Sequence, residues 1–167
     1  ESPMNANVLY TGSDDGRIMG TRDGGVTWLD LTEGMRDLPS NTYVSRIVAS
    51  NAEEGRVYAT FDAHYSGDFA PYVYVSDDYG YRWRSITSGL PQTSVNVLTE
   101  HPDEGNLLFL GNEVGVFVSL DGGDRWDALM NGLPTVPVDD IRVHPGYGDL
   151  LIGTHGRGIW VLDDIAP

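Results

Sequence analysis

Three aspartates recur in one short pattern, and their spacing is the first feature of the chain that could support chemistry. Asp23, Asp78 and Asp121 each follow a hydroxyl residue by two positions, precede a glycine by two and precede a tryptophan by five. A carboxylate in such a place can act as a catalytic acid or accept hydrogen bonds from the N–H groups of a tight turn. Since an enzyme usually has one active site and the pattern occurs three times, we expect the turn role.

The other repeated positions of the pattern have structural roles as well. The glycine supplies a positive φ without steric cost, and the hydroxyl group can bond the same turn. The tryptophan can fold back as an apolar lid that buries about 200 Å². The residues that we expect to hold these turns are Thr21, Asp23, Gly25 and Trp28, then Ser76, Asp78, Gly80 and Trp83, and finally Ser119, Asp121, Gly123 and Trp126.

Two further segments carry candidate binding residues. His64, Tyr65 and Tyr72 lie in or next to an insertion from Asp62 to Tyr72, where exposed aromatic rings could stack on a sugar or pack against a protein partner. His155 and Arg157 lie in the glycine-rich segment GTHGRG, whose flexible backbone could line a site. The alternative for this second segment is a tight loop in which Arg157 pairs with a carboxylate, and we favour it.

The sequence indicates no metal site and no cofactor. His101 and His144 each precede a proline and repeat 43 residues apart, so we expect turn residues rather than metal ligands. The acidic pairs at Asp14 and at Asp77 lack the spaced oxygen ligands that calcium requires, and solvated acids are the simpler interpretation.

The elements that position these residues follow from an internal repeat. The three pattern tryptophans are 55 and 43 residues apart, and Leu-Pro and His-Pro dipeptides repeat in phase with them. Between these landmarks lie short runs rich in β-branched residues, and no window has helical periodicity. We expect each fourth strand to start at the pattern tryptophan. The expected strands are 8–11, 17–20 and 28–31, then 44–48, 57–60, 73–75 and 83–86, then 95–98, 107–110, 116–118 and 126–129, and finally 138–143, 150–152 and 159–162. Periods of about 40 to 50 residues with four short strands each are typical of β-propeller blades.

The order of strands predicts an all-β propeller fragment of four-stranded antiparallel blades. Two blades are complete, and a partial blade of three strands lies at each end. We expect a single partial domain over residues 1–167, with blade portions at about 7–38, 40–90, 91–134 and 138–164. Unpaired strand edges are a liability, so the remainder of a larger propeller or a second copy should cover them.

Composition excludes several classes of partner. The formal net charge is −15, which disfavours nucleic acid and anionic lipid, and no apolar run is long enough to insert into a membrane. Cysteine is absent, and every basic residue other than histidine is arginine. The missing lysine fits either a genomic composition bias or adaptation to high salt.

On the repeated segments TRDGGVTW, SDDYGYRW and SLDGGDRW the chain resembles the Asp-box, or BNR-repeat, propellers. The segment GTHGRGIWVLDDIAP is similar to the propeller end of sortilin-like exported bacterial proteins that are labelled glycosyl hydrolase. The resemblance implies a parent propeller of more blades and export from the cytoplasm. The Arg-Ile-Pro start of sialidases is absent, and no pair of catalytic aspartates of the xyloglucanase type can be assigned.

We therefore expect a non-catalytic propeller segment that serves as a scaffold or as a binding module for a protein or carbohydrate. The alternative is a part of a xyloglucanase-like or sialidase-like glycoside hydrolase, which would act on a polysaccharide or glycan.

Overall fold

Four antiparallel sheets follow one another along the chain. The computed structural model describes residues 1–130 and 132–165. The first sheet contains β1 (Leu9–Gly12), β2 (Ile18–Thr21) and β3 (Leu29–Asp30). The second contains β4 (Tyr43–Ala49), β5 (Val57–Asp62), β6 (Tyr72–Ser76) and β7 (Arg84–Ser85). The third contains β8 (Val95–Glu100), β9 (Leu108–Asn112), β10 (Gly115–Ser119) and β11 (Asp127–Ala128), and the fourth contains β12 (Val138–Val143), β13 (Leu150–Thr154) and β14 (Ile159–Leu162).

The sheet topology agrees with the predicted succession of three, four, four and three strands. In each sheet the strands pair in chain order, so every connection joins neighbours. The fourth strands are shorter than expected, because β3, β7 and β11 have two residues each. The pattern tryptophans precede these strands instead of starting them, which frees the rings to reach other parts of the fold.

Apolar side chains fill the space between consecutive sheets. The cluster between the first and second sheets includes Ile18, Leu31 and Phe61. The cluster between the second and third includes Tyr58 and Trp126. A third cluster joins the third sheet to the fourth through Phe109, Val138 and Leu150. Each sheet is therefore stabilised by burying its face against the next sheet.

The first strands of the last three sheets share one irregularity. Ser45, Asn96 and Asp139 are each the extra residue of a β-bulge at the same position of the strand. The Ser45 hydroxyl donates to the carbonyl of Val95 (2.7 Å), and the Asn96 amide donates to the carbonyl of Val138 (3.2 Å). These two bonds join the bulges at Ser45 and Asn96 to the first strand of the next sheet.

The extra length of the second repeat is divided between two places. The connection from Phe61 to its partner Tyr72 contains eight residues more than the tight turn from Asn112 to its partner Gly115. The other four of the twelve extra residues lie between β3 and β4. The expected insertion is therefore real but smaller, and it includes a short 3-10 turn at His64–Ser66.

Candidate functional site

The connections from second to third strands lie at one end of the sheets, and the repeated turns lie at the other. We call residues 62–71, 113–114 and 155–158 the rim loops. Because β4, β8 and β12 begin at this same end, the bulge residues are near the rim loops as well. Loops at one end of a rigid sheet array are the usual place for binding residues.

His64 is held by the carboxylate at the end of β5. Its Nδ1 lies 2.5 Å from Oδ2 of Asp62, and its backbone N–H donates to Oδ1 of the same residue at 2.9 Å. The carboxylate is nearly buried and the imidazole is partly exposed. A carboxylate on Nδ1 fixes the ring and leaves Nε2 to interact with other groups.

The rest of this rim loop presents aromatic rings to solvent. Tyr65 stacks on His64 with 3.8 Å between ring centroids and is 86% exposed. Phe69 is also exposed. Tyr72, by contrast, is tied down, because its hydroxyl donates to Oδ2 of Asp68 at 2.7 Å. Of the three residues predicted here, the structure brings His64 and Tyr65 together and directs Tyr72 to a structural contact.

In the last rim loop, His155 and Arg157 make different contacts. His155 Nδ1 lies 3.4 Å from Oδ2 of the bulge residue Asp139. The expected pairing of Arg157 with a carboxylate is wrong for the part of the chain that the structure describes. Instead, the carbonyl of Arg157 accepts a hydrogen bond from Nε1 of Trp160 (3.2 Å), as Gly156 and Gly158 turn the backbone through positive φ. Ala166 and Pro167, at the end of the segment that carries the family resemblance, lie outside the described residues.

The repeated turns form a dense set of hydrogen bonds. In the first turn, Oδ1 of Asp23 accepts from the Thr21 hydroxyl (2.7 Å) and from the N–H of Thr27 (2.9 Å), and Oδ2 accepts from the Thr27 hydroxyl (2.6 Å). The Thr21 hydroxyl in turn accepts from the N–H of Gly25 at 3.1 Å. The equivalent bonds recur in the turns of Asp78 and Asp121, where the Arg82 and Arg125 N–H groups replace that of Thr27.

These bonds lower the pKa values of the turn carboxyls. The Thr27 hydroxyl and N–H, followed by the Thr21 hydroxyl, lower the pKa of Asp23 to about 2. The Ser119 hydroxyl and the Arg125 N–H lower the pKa of Asp121. For Asp78, partial burial opposes the shift, but the hydrogen bonds from Arg82 outweigh it and the pKa is lowered. A lowered pKa suits a permanent acceptor and is the reverse of what a general acid needs.

Two of the three tryptophans bond a neighbouring sheet. Nε1 of Trp83 donates to the carbonyl of Leu31 (2.8 Å), and Nε1 of Trp126 donates to the carbonyl of Ile86 (2.7 Å). Trp28 instead donates to Gly25 of its own turn (3.1 Å) and is 38% exposed. Trp83 and Trp126 therefore also link their sheets to the preceding sheet through these hydrogen bonds.

A charged groove on the first strands was not found by reasoning from the sequence. Nη2 of Arg46 on β4 lies 2.8 Å from Oδ1 of Asp140 on β12, although β8 lies between these two strands. Arg142 contacts the other oxygen of Asp140 at 3.2 Å. The groove has a volume of about 310 Å³, and the buried Nε of Arg46 has no partner among the described residues. A contact between residues 94 positions apart has no local sequence signal.

The remaining histidines and acids occupy turns. Nδ1 of His101 accepts from the N–H of Asp103, and Nδ1 of His144 accepts from that of Gly146, both at 3.2 Å. The Ser13 hydroxyl bonds Asp15 and lowers its pKa. Across residues 1–130 and 132–165 no group of three or more His, Asp or Glu side chains is arranged to hold a metal ion. No helix in the described part of the chain is long and apolar enough to cross a membrane.

Comparisons with known proteins give similarity in structure alone. No protein-family model and no curated protein sequence matches the chain. A GH74 enzyme from Niastella koreensis is similar with a TM-score of 0.72 and 18% identity, over 100% of this chain and 28% of that one. The GH74 xyloglucanase from Xanthomonas campestris gives 0.67 and 16%, over 93% and 25% of the two chains. YCF48 bound to D1 peptide gives 0.66 and 16%, over 99% and 49%.

The chain is shorter than the solved structures that it resembles. The chain spans between about a quarter and a half of the length of these solved structures. At this level of identity the likeness shows the fold and leaves the activity open. Together with the four consecutive antiparallel sheets, it identifies the chain as a fragment of a β-propeller, built from two complete blades and a partial blade at each end.

Proposed function

We propose that the chain is part of a larger Asp-box propeller and serves there as a non-catalytic scaffold or as a binding module for a protein or carbohydrate. In this proposal residues 1–167 form one partial domain, and the repeated turns are Asp-box turns. The observation that carries it is the state of the turn aspartates. Their carboxylates are held by two or three hydrogen bonds each and have lowered pKa values, so they stabilise turns instead of transferring protons.

The binding surface in this proposal is formed by the rim loops. The stacked pair of His64 and Tyr65 and the nearby ring of Phe69 offer apolar faces to solvent. His155 and Arg157 add polar groups at the same end of the sheets. Exposed aromatic rings next to polar side chains suit either a sugar or a peptide.

A binding experiment on the intact protein tests this surface. A peptide array and a set of xyloglucan oligosaccharides serve as probes, and Tyr65→Ala is compared with Tyr147→Ala, which removes a comparably exposed tyrosine outside the rim loops. We expect at least one probe to bind and Tyr65→Ala alone to weaken it. Binding that is the same in both variants would contradict a rim-loop site.

The partner that covers the open sheets is either the rest of a larger propeller or a second copy. Ile159 and Val161 on β14 are 75% and 55% exposed, and Leu151 lies in register with Val161 on the same face. YCF48, one of the similar structures, is bound to a peptide, which supports protein binding by a propeller of this kind. We expect residues 1–167 to self-associate through this face and the variant Val161→Glu to be monomeric in sedimentation. A wild-type fragment that is strictly monomeric would contradict the inference.

The alternative function is a glycoside hydrolase of which this chain is one part. The specific observation in its favour is the similarity of fold to GH74 enzymes, one of which is a xyloglucanase. Hydrolysis of xyloglucan, other β-glucans and sialosides by the intact protein decides between the two functions. Turnover that a single Asp or Glu substitution abolishes, with Asp139→Asn and Glu113→Gln as the first rim carboxylates to test, would replace our proposal.

We also propose that the parent protein is exported, to the periplasm, the cell surface or the medium. This rests on the resemblance to exported repeat proteins. Cell fractionation of the native host with an antibody against the chain tests it, and a purely cytosolic signal would contradict it.

A further inference from the structure

The gap between the first two sheets is a second place, besides the enlarged rim loop, where the repeats depart from one another. A cleft of about 390 Å³ opens there, at the end of the molecule that carries the repeated turns. Its walls are formed by Tyr10, Gly20 and Arg22 of the first sheet and by Tyr79 and Tyr81 of the second repeated turn. A volume in this range is typical of small-ligand sites.

One residue that lines the cleft departs from the repeat. The residue before the repeated turn is Gly20 in the first sheet, whereas Val75 and Val118 occupy the same position in the next two. A Cβ atom on Gly20 would lie 2.5 Å from Cδ1 of Leu31 and 3.3 Å from the ring of Tyr10. The space that a valine side chain fills in the other sheets is therefore occupied here by Leu31, and a larger residue at position 20 would displace Leu31, which lines the cleft.

The opposite wall carries a strained tyrosine. Tyr79 has a φ of 62°, at the position where the other two turns have Gly24 and Gly122 with φ of 71° and 73°. A tyrosine pays a steric penalty in this left-handed conformation that glycine does not, and such strain tends to persist where it serves a function. The ring is held in place by Arg22, whose guanidinium carbon lies 3.9 Å from its centroid, and by Glu54, which accepts from its hydroxyl at 3.3 Å.

Tyr10, in the wall of the cleft, carries a hydroxyl group without a partner among the described residues. Oη of Tyr10 is buried and bonds nothing among the described residues. The equivalent hydroxyl in the second sheet, that of Tyr58, lies 3.4 Å from Glu100. Burial raises the pKa of Tyr10 to about 12, so the group is a neutral donor and acceptor. A buried polar group that has no partner is uncommon and calls for a physical cause.

The charges of the cleft indicate the class of ligand. Arg22 forms no ion pair within the described residues, and both oxygens of Asp23 are occupied inside its turn. The strongly negative chain repels anions at long range. Tyrosine rings pack on the apolar face of a pyranose, and a guanidinium and a phenol can bond its hydroxyls.

We propose that this cleft binds one pyranose ring of a neutral glycan, which stacks on Tyr81 and hydrogen-bonds to Arg22 and Tyr10. Tyr81 is half exposed at the mouth of the cleft, so it can adjust to the ligand without disturbing the core. The site lies at the opposite end of the sheets from the rim loops, so its existence does not depend on the proposed function.

Calorimetric titration of the intact protein tests the proposal. The neutral probes are cellohexaose, mannohexaose and maltohexaose, and the acidic probe is hexagalacturonate. We expect at least one neutral hexaose to bind, and we expect Tyr81→Ala and Gly20→Val each to weaken its binding at least tenfold. Tyr147→Ala, which removes a tyrosine that is 78% exposed elsewhere, should leave the affinity unchanged.

Two further variants separate binding in the cleft from a loss of stability and from binding at the rim loops. Tyr10→Phe should weaken binding without lowering the unfolding midpoint, because it removes a hydroxyl that bonds no group in the described part of the chain. Replacement of residues 62–71 by Asn-Gly should leave binding unchanged, even if the rim-loop site fails its own test. The proposal is overturned if no neutral hexaose binds, if only hexagalacturonate binds, or if Tyr81→Ala binds as tightly as the wild type.

Discussion

At the scale of single residues, the turn aspartates show how three identical side chains acquire one structural role. Each carboxylate accepts from a side-chain hydroxyl two positions before it and from an N–H four positions after it. These are local contacts, so the spacing of the pattern was sufficient to predict them. The pairing of His155 with Asp139 is not local and gave no such signal.

The substitution Asp23→Asn should reduce stability in a pH-dependent way. The pKa of Asp23 is lowered from 3.8 to about 2, so its ionised form stabilises the folded state above about pH 4. That contribution is lost as the pH falls from about 4 to about 2. Urea unfolding between pH 2 and pH 6 should therefore show a difference between wild type and variant that is greatest near pH 6 and shrinks toward pH 2. A difference that is constant over this range would contradict the assignment.

The tryptophans offer a matched pair of substitutions. Trp126 is 1% exposed and bonds the neighbouring sheet, whereas Trp28 is 38% exposed and bonds its own turn. We expect Trp126→Ala to lower the free energy of unfolding by about 3–5 kcal/mol, since it leaves a large cavity. Trp28→Ala should cost less than about 1 kcal/mol. Equal losses of unfolding free energy in chemical denaturation would contradict a difference in burial between the two rings.

At the scale of elements, the sequence predicted the positions of the strands well and the contacts between sheets less well. The first, second and third blade strands that the chain contains were predicted to within two residues at either end, because β-branched runs between turn residues are a strong local signal. The fourth strands are shorter than predicted, and the tryptophans leave the strand in order to contact other groups. Packing between the sheets determines where the fourth strands begin and where the tryptophan rings lie, and the periodicity of the sequence does not indicate it.

The enlarged rim loop is an element that the fold should tolerate losing. Phe61 and Tyr72 are already paired across the hairpin, and of the residues between them only Asp62 and Ala63 are buried. Replacement of residues 62–71 by Asn-Gly, a favoured two-residue hairpin turn, should therefore keep cooperative unfolding and change stability by about 1 kcal/mol or less. Thermal unfolding by circular dichroism measures this. Loss of a cooperative transition would show that the loop belongs to the core.

At the scale of the whole molecule, the ion pair of Arg46 and Asp140 joins sheets that are not adjacent. It connects the second sheet to the fourth across the first strand of the third. Both side chains are less than half exposed, and Asp140 receives a second contact from Arg142. The pair therefore links the second and fourth sheets directly, across the sheet that lies between them.

A double-mutant cycle on Arg46→Ala and Asp140→Ala should give a coupling free energy of up to about 1 kcal/mol, which decreases as salt is added. The matched control is the pair of Arg84 and Asp124, which links adjacent sheets at a more exposed position. Its coupling should be smaller. Equal couplings in the two cycles would contradict a special role for the pair on the first strands.

The bulges of the first strands have a consequence for the direction in which a propeller of this kind can be extended. Ser45 and Asn96 both offer a hydrogen to a backbone carbonyl of the following sheet. Asp139 occupies the third such position, and an ionised carboxylate can only receive a hydrogen. If a further strand lay beside β12 as β12 lies beside β8, its backbone carbonyl would face the Asp139 carboxylate. Both groups are hydrogen-bond acceptors. The bond that Ser45 and Asn96 each make therefore cannot be repeated by the side chain of Asp139, and the three bulge positions are not equivalent.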